Sequence, residues 1–227
     1  MSLYWILFIG IAILSYAVQA TLQSRMNKYA QIPIDGGLTG RDVAERMLRE
    51  NGIYDVQVTH IPGTLTDHYD PQKKTVNLSD FVYGSNSVAA AAVAAHECGH
   101  AVQHAVGYAP LRLRSALVPI VSFSSRIVTW VLLGGMLLLK VFPQFMLAGI
   151  ILFALTTLFS VVTLPVEINA SSRALAWLNQ TGITNVSNHQ YAEKALRSAA
   201  YTYVVAALSS LGTLLYYVMI YSSGSRR

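Results

Sequence analysis

Charged residues are scarce in this chain of 227 residues. Asp, Glu, Lys and Arg make up 12% of the sequence and hydrophobic residues 53%, whereas about a quarter of a soluble domain is charged. This shortage argues against an ordinary soluble protein and predicts long apolar segments that lie in a lipid bilayer. The net charge is only +5, and no segment combines clustered basic and aromatic residues. We therefore expect no nucleic-acid partner.

Cysteine occurs once, at Cys98. A single cysteine excludes an internal disulfide and is consistent with the reducing side of a membrane. It also excludes the structural zinc sites that are built from several cysteines.

Four apolar segments are each long enough to cross a bilayer as a helix. They comprise residues 3–20, 117–139, 145–166 and 199–221. The first has the length of a signal peptide, but its positive charges, Arg25 and Lys28, follow the apolar core instead of preceding it. This charge order predicts an uncleaved membrane anchor.

Lys and Arg residues are distributed unequally around these four segments. Twelve lie in residues 21–116 and 167–198, and three lie elsewhere, namely Lys140, Arg226 and Arg227. Arg126, inside the second apolar segment, is left out of this comparison. Because basic residues concentrate on the cytoplasmic side, the distribution places both polar segments in the cytoplasm. We expect a multi-pass protein of the plasma membrane.

The polar segment 21–116 is typical of a small α+β domain. A helix is predicted at residues 39–50, with Thr39 as its N-cap and one apolar face. A second helix is predicted from Val88 to about Val106, after the capping residues Ser85-Asn86-Ser87.

Two short strands are predicted between these helices. Apolar and polar residues alternate at 55–61 and again at 75–79, and residues 67–69 can pair with the second strand as a hairpin. His68 and Asp70 are interpreted as turn-forming residues rather than catalytic ones. An exposed edge of this sheet could hold an extended peptide by strand addition.

The second helix carries the pentapeptide His96-Glu97-Cys98-Gly99-His100, which has the HExxH pattern of zinc hydrolases. Side chains four residues apart share one face of a helix, so His96 and His100 can both bind one Zn²⁺. Three polar side chains in an otherwise apolar helix would be costly to bury without such a role.

Glu97 is predicted to be the general base. It lies about 100° around the helix from His96, so it is near the metal without pointing at it. There it can accept a proton from a zinc-bound water, whose pKa is about 7, and return it to a leaving amine. Cys98 is predicted to pack on the far side of the helix. Gly99 could let the substrate or the sheet edge approach the metal face.

A third metal ligand must come from elsewhere in the chain. The candidates that follow His100 are Glu167, Glu193, His104 and His189. Glu167 stands where the third apolar segment ends, and a carboxylate there costs free energy unless an ion pairs with it. Glu193 can instead pair with Arg197 one turn later. Glu167 is therefore predicted to complete the site, and Ser171 shares its helix face and could contact a ligand.

Four segments make the chain resemble the YugP-like membrane zinc metallopeptidases of bacteria. They are residues 65–71, 96–103, 112–119 and 164–174. The architecture is also similar to that of the integral-membrane gluzincins, such as the HtpX heat-shock protease and the CAAX prenyl protease. The resemblance implies zinc at His96, His100 and Glu167, Glu97 as the base, and a role in membrane-protein quality control. Ser171 departs from the larger relatives, which have an acid there.

The sequence thus predicts an α-helical membrane protein with about four transmembrane helices and a small zincin-like α+β catalytic domain. Its predicted activity is that of a zinc-dependent endopeptidase that cleaves peptide or membrane-protein substrates with a zinc-activated water. The alternative is a non-catalytic membrane module with a structural zinc site. Structural zinc prefers four protein ligands, often cysteines, so an open catalytic site is favoured.

Overall fold

The structure, a computed structural model, describes residues 2–224. This part of the chain is mostly helical and contains one small sheet. Its helices are α1 (Ser2–Tyr29), α2 (Gly40–Glu50), α3 (Asp80–Tyr83), α4 (Val88–Ala105), α5 (Ala109–Leu137), α6 (Pro143–Gln180) and α7 (His189–Gly224). Its strands are β1 (Gln57–Ile61), β2 (His68–Asp70) and β3 (Thr75–Ser79).

The start of α2 is fixed by a capping box. The Thr39 hydroxyl accepts a hydrogen bond from the Asp42 backbone N–H at 3.3 Å, and the Asp42 carboxylate accepts one from the Thr39 N–H at 2.9 Å. Both bonds satisfy donors that the first turn of a helix leaves free. The apolar face of α2, which includes Val43 and Met47, is buried. The helix confirms the prediction for residues 39–50.

The sheet has the strand order β1-β3-β2. β2 and β3 form the predicted antiparallel hairpin, in which Tyr69 is opposite Val76. Asp70 shapes the turn, because its carboxylate accepts the backbone N–H groups of Gln72 and Lys73 at 2.9 and 3.1 Å. β1 pairs with β3 in parallel. β2 is therefore an edge strand.

α4 begins at the N-cap Ser87, whose side chain accepts the Ala90 N–H at 3.2 Å. It ends before Gly107, which has a φ of 65° and so adopts the left-handed conformation that commonly ends a helix. Its many alanines are buried and bring it close to α2. Cys98 lies in this contact, with its Sγ 3.5 Å from the Ala44 carbonyl oxygen. Cys98 is thus the buried packing residue that was expected.

Among the described residues, α5, α6 and α7 are long and apolar enough to cross a membrane. The predicted spans 117–139, 145–166 and 199–221 fall largely within these three helices. The first predicted span, 3–20, lies within α1, which is not one of the three, so the fourth transmembrane helix stays a prediction. The predicted outer tail reaches residues 225–227, which lie outside the described part.

The chain divides into two compact units. One comprises Met1–Tyr16, Arg112–Leu164 and Thr202–Arg227, with a small core around Val128, Leu132, Met146 and Ile150. The other comprises Ala17–Leu111 and Pro165–Tyr201 and contains the sheet, α2 and α4. All the candidate site residues lie in this second unit, so its geometry can be described by itself.

Candidate metal centre

α4 brings His96 and His100 together one turn apart. Their ring centroids are 4.8 Å apart, and the rings are nearly perpendicular, at 81°. Glu97 lies between them in the sequence and is buried, with 8% of its surface exposed. The regular helix thus holds both imidazoles on one face, as the spacing predicted.

Glu167 on α6 completes a cluster of three. Its Oε2 lies 3.2 Å from His96 Nε2 and 3.5 Å from His100 Nε2. Two ligand atoms that each bind a tetrahedral zinc at 2.0–2.1 Å are about 3.3 Å apart, so these separations suit one shared ion. Within the described residues, these three are the His, Cys, Asp and Glu side chains that lie close enough together to share a metal ion.

Gly99 explains how α6 comes near enough to supply Glu167. A Cβ atom at this position would lie 2.7 Å from the Ala170 carbonyl oxygen and 3.2 Å from its Cα. Only glycine permits this contact between the backbones of α4 and α6. The expectation that Gly99 admits the substrate or the sheet edge is therefore wrong, because the α6 backbone occupies that space.

The second ring nitrogen of His100 is held by Gln103. His100 Nδ1 lies 3.0 Å from Gln103 Oε1, and Gln103 Nε2 donates to the Val166 carbonyl oxygen at 2.8 Å. A carbonyl oxygen only accepts, so the amide nitrogen must face Val166 and Oε1 must accept from His100. His100 Nδ1 therefore carries the hydrogen.

Because the hydrogen is on Nδ1, the other ring nitrogen of His100, Nε2, can only accept a hydrogen bond or bind a metal. In the neutral ring Nε2 has a lone pair, and this lone pair faces the Glu167 carboxylate. Two acceptors so close together require a cation between them. Without a metal a proton meets this need: burial opposes charge on the ring, but the hydrogen bond to Glu167 and the negative charge of Glu97 outweigh burial and raise the pKa of His100. The donor set therefore fits a metal ion.

His96 has a comparable contact on its outer side. Its Nδ1 lies 3.1 Å from Ser171 Oγ. Ser171 follows Glu167 by one turn of α6, so one helix face supplies both a candidate ligand and a contact to another. Ser171 is therefore placed beside a candidate ligand, where the sequence suggested it could be.

The other candidate residues lie outside the cluster. His104 Nδ1 is 3.0 Å from the Tyr69 hydroxyl, which links α4 to β2. Glu193 is exposed on α7. Within the described residues 2–224, it does not form the predicted ion pair with Arg197. That prediction is wrong, because the Arg197 guanidinium donates instead to the Tyr201 hydroxyl at 3.1 Å. His189 contacts Thr184.

The sequence interpretation missed three polar residues behind the cluster. They are Gln103, Asn169 and Arg173. Gln103 had one available signal, since it lies three residues after His100 and so on a neighbouring part of the same helix face. Asn169 and Arg173 are four residues apart on α6, which permits their mutual contact, but nothing in the sequence indicated that Asn169 meets Gln103 on another helix.

A groove begins next to the cluster. It has a volume of about 550 Å³ and lies between the end of α6 and the start of α7. Ser171, which contacts His96, forms part of its wall, together with apolar residues such as Ile168, Leu175 and Leu196.

Comparison with known proteins identifies a zinc metallopeptidase family, which agrees with the cluster of candidate metal ligands. Residues 4–222 match the family described as "Putative neutral zinc metallopeptidase". A relative, "Putative membrane protease YugP" of Bacillus subtilis (strain 168), is 44% identical over 211 residues, which cover 93% of each chain. No solved structure matches the chain. The predicted resemblance to YugP-like proteins is confirmed, and the chain belongs to the putative neutral zinc metallopeptidase family.

Proposed function

We propose that this protein is a membrane zinc endopeptidase, with His96, His100 and Glu167 as the metal ligands and Glu97 as the general base. The observation that carries the proposal is the convergence of two histidine Nε2 atoms on Glu167 Oε2, at 3.2 and 3.5 Å, with all three ligand atoms within 4.8 Å of one another. The cluster offers three ligands from the described residues, which leaves a fourth position open for water, as catalytic zinc sites require.

Each side chain has one task in this proposal. Zinc, when bound, supplies a Lewis acid that lowers the pKa of a water and stabilises the oxyanion. Glu97 accepts a proton from the attacking water and delivers it to the leaving amine. Its negative charge already acts on the neighbouring His100. Burial of Glu97 keeps the carboxylate beside the cluster rather than in bulk solvent.

Two surfaces support a peptide substrate. The edge strand β2 lies next to α4, where Tyr69 contacts His104, and an extended peptide can add to such an edge through backbone hydrogen bonds. The groove that begins at Ser171 has mainly apolar walls. We expect it to accept an apolar side chain near the cleaved bond.

The location is also part of the proposal. The uneven distribution of Lys and Arg supports an active site on the cytoplasmic side of the plasma membrane. A role in membrane-protein quality control is what the resemblance to the larger membrane proteases implies.

A Glu97→Gln variant tests the mechanism. It removes the proton acceptor and leaves all three candidate ligands, so we expect unchanged zinc content and loss of peptide cleavage by a factor of about 10² or more. Glu45→Gln is the matched control, because it makes the same change at a surface position on α2, outside both the cluster and the groove beside Ser171. Zinc is measured in the purified proteins, and cleavage is mapped on soluble peptides and on membrane proteins.

The same experiment separates the rival function. If Glu97→Gln cleaves at nearly the parental rate, the proposed base is wrong. If the parental protein binds zinc but cleaves none of the substrates, the non-catalytic module with a structural zinc is supported instead.

A further inference from the structure

A chain of polar side chains extends from His100 away from the candidate metal position. Gln103, which is fully buried, contacts His100 through Oε1, and its Nε2 donates to the Val166 carbonyl and to Asn169 Oδ1 at 2.8 and 3.0 Å. Arg173 Nε donates to the same Asn169 oxygen at 2.8 Å. The series Arg173, Asn169, Gln103 and His100 thus joins α6 to α4.

The chemistry of these groups permits one orientation. A guanidinium only donates, so the Asn169 atom that faces Arg173 must be the amide oxygen. That oxygen and the Val166 carbonyl are both acceptors, so the Gln103 nitrogen must face them. If the Gln103 amide were rotated by 180°, its oxygen would face two acceptors and its nitrogen would face the His100 Nδ1–H. The amide would then lose all three of its hydrogen bonds.

We propose that Gln103, oriented by Asn169 and Arg173, is a positioning residue that holds the hydrogen of His100 on Nδ1 and so keeps Nε2 ready to bind zinc. The inference rests on the proposed zinc site. A neutral imidazole can carry its hydrogen on either nitrogen, and the form with hydrogen on Nε2 cannot bind a metal through that atom. The hydrogen bond to the outer nitrogen selects the competent form and fixes the ring plane.

The proposal predicts a graded loss of zinc affinity. Gln103→Met removes the acceptor while nearly keeping the volume, and the zinc Kd should rise about 10- to 100-fold, as is usual when a contact behind a ligand is removed. Asn169→Leu should have a smaller effect, because Val166 still orients Gln103. Arg173→Met should have the smallest effect, because both acceptors for Gln103 remain.

The tautomer itself can be observed by ¹⁵N NMR of the histidine rings. Glu167→Ala removes the acceptor that competes for a hydrogen on Nε2, so in that metal-free variant, at a pH where the ring is neutral, His100 should carry its hydrogen on Nδ1. Adding Gln103→Met to this variant should shift the signals toward the Nε2–H form. A residue that only fills space would not change this ratio.

Thr184→Val provides the matched control. Thr184 is buried, with 1% of its surface exposed, and its hydroxyl lies 2.7 Å from His189 Nδ1. The variant therefore removes a buried histidine contact outside the cluster. We expect it to lower the thermal midpoint without changing the zinc Kd.

The experiment measures the zinc Kd by chelator competition and the His100 signals in the full-length protein. A parental Kd in Gln103→Met, together with ring signals that do not change when Gln103→Met is added to Glu167→Ala, would overturn the inference and leave the zinc site standing. A parental protein that binds no zinc would overturn both. If Gln103→Met does not fold, Asn169→Leu takes its place, and a Kd unchanged from the parental value in that variant overturns the inference.

Discussion

Replacement of Gly99 by alanine tests whether the contact between α4 and α6 sets the metal site. The new Cβ would lie 2.7 Å from the Ala170 carbonyl oxygen, whereas carbon and oxygen atoms in close contact are about 3.3 Å apart. The helices must therefore separate by about 0.6 Å. Because Ala170 is one turn from Glu167, this shift moves the carboxylate away from both histidines.

The expected cost has two opposing parts. Overpacking at a tight contact costs about 1–3 kcal/mol, whereas alanine is favoured over glycine in a helix by about 1 kcal/mol. The net loss of stability is thus at most about 2 kcal/mol. The helix preference of alanine does not restore zinc affinity. A shift of about 0.6 Å exceeds the tolerance of metal–ligand distances, which must stay within about 0.2 Å of their ideal values. We expect the zinc Kd to rise at least tenfold.

Thermal unfolding with and without zinc, together with chelator competition, measures both quantities. Gly84→Ala is the control, because a Cβ there meets no atom within 4 Å and its φ of −98° suits any residue. If Gly99→Ala binds zinc with parental affinity and unfolds at or above the parental temperature, the close approach of the two helices does not set the site.

Three further outcomes can be measured. Glu167→Ala should lose most of its zinc and, since metal binding adds to folding free energy, unfold at a lower temperature in detergent, whereas Glu193→Ala should keep both properties. A cysteine at Lys73 in an otherwise cysteine-free protein should resist labelling from outside the cell, while one in the loop between α5 and α6 should react. Thr39→Ala should cost about 1 kcal/mol. Hydrogen bonds from the Thr39 hydroxyl and backbone N–H hold the pKa of Asp42 below its usual value, so the contribution of this cap is present above the usual pKa of Asp and lost as the pH falls below it. Acid titration of the unfolding midpoint in both proteins checks this sign.

The parts of the fold that sequence reasoning predicted well depend on neighbours in the chain. Helices α2 and α4 are fixed at their starts by contacts between residues three positions apart, namely Thr39 with Asp42 and Ser87 with Ala90. The hairpin of β2 and β3 is similarly local. The parallel pairing of β1 with β3 was not predicted, because nothing in either strand specifies a partner of that orientation.

In the candidate site, too, local features were predicted and contacts between distant segments were not. The HExxH spacing placed both histidines, and the cost of a carboxylate at the end of an apolar segment selected Glu167. The approach of α6 to Gly99 and the orientation of Gln103 were missed, since each depends on two helices that are distant in the sequence. The Glu193 prediction was wrong for a related reason: helical spacing permits a pair with Arg197, but Tyr201 takes the guanidinium instead.

The distance along the chain between His96 and Glu167 bears on how the protein is made. Glu167 follows His96 by 71 residues, and ribosomes add about 5–20 residues per second, so α4 exists for several seconds before α6. During that interval the nascent chain has two of the three candidate ligands. We expect ribosome-bound chains that stop before α6 to retain no zinc after gel filtration, and chains that include α6 to retain it. Translation order would then delay the proposed proteolytic activity until most of the protein has been synthesised.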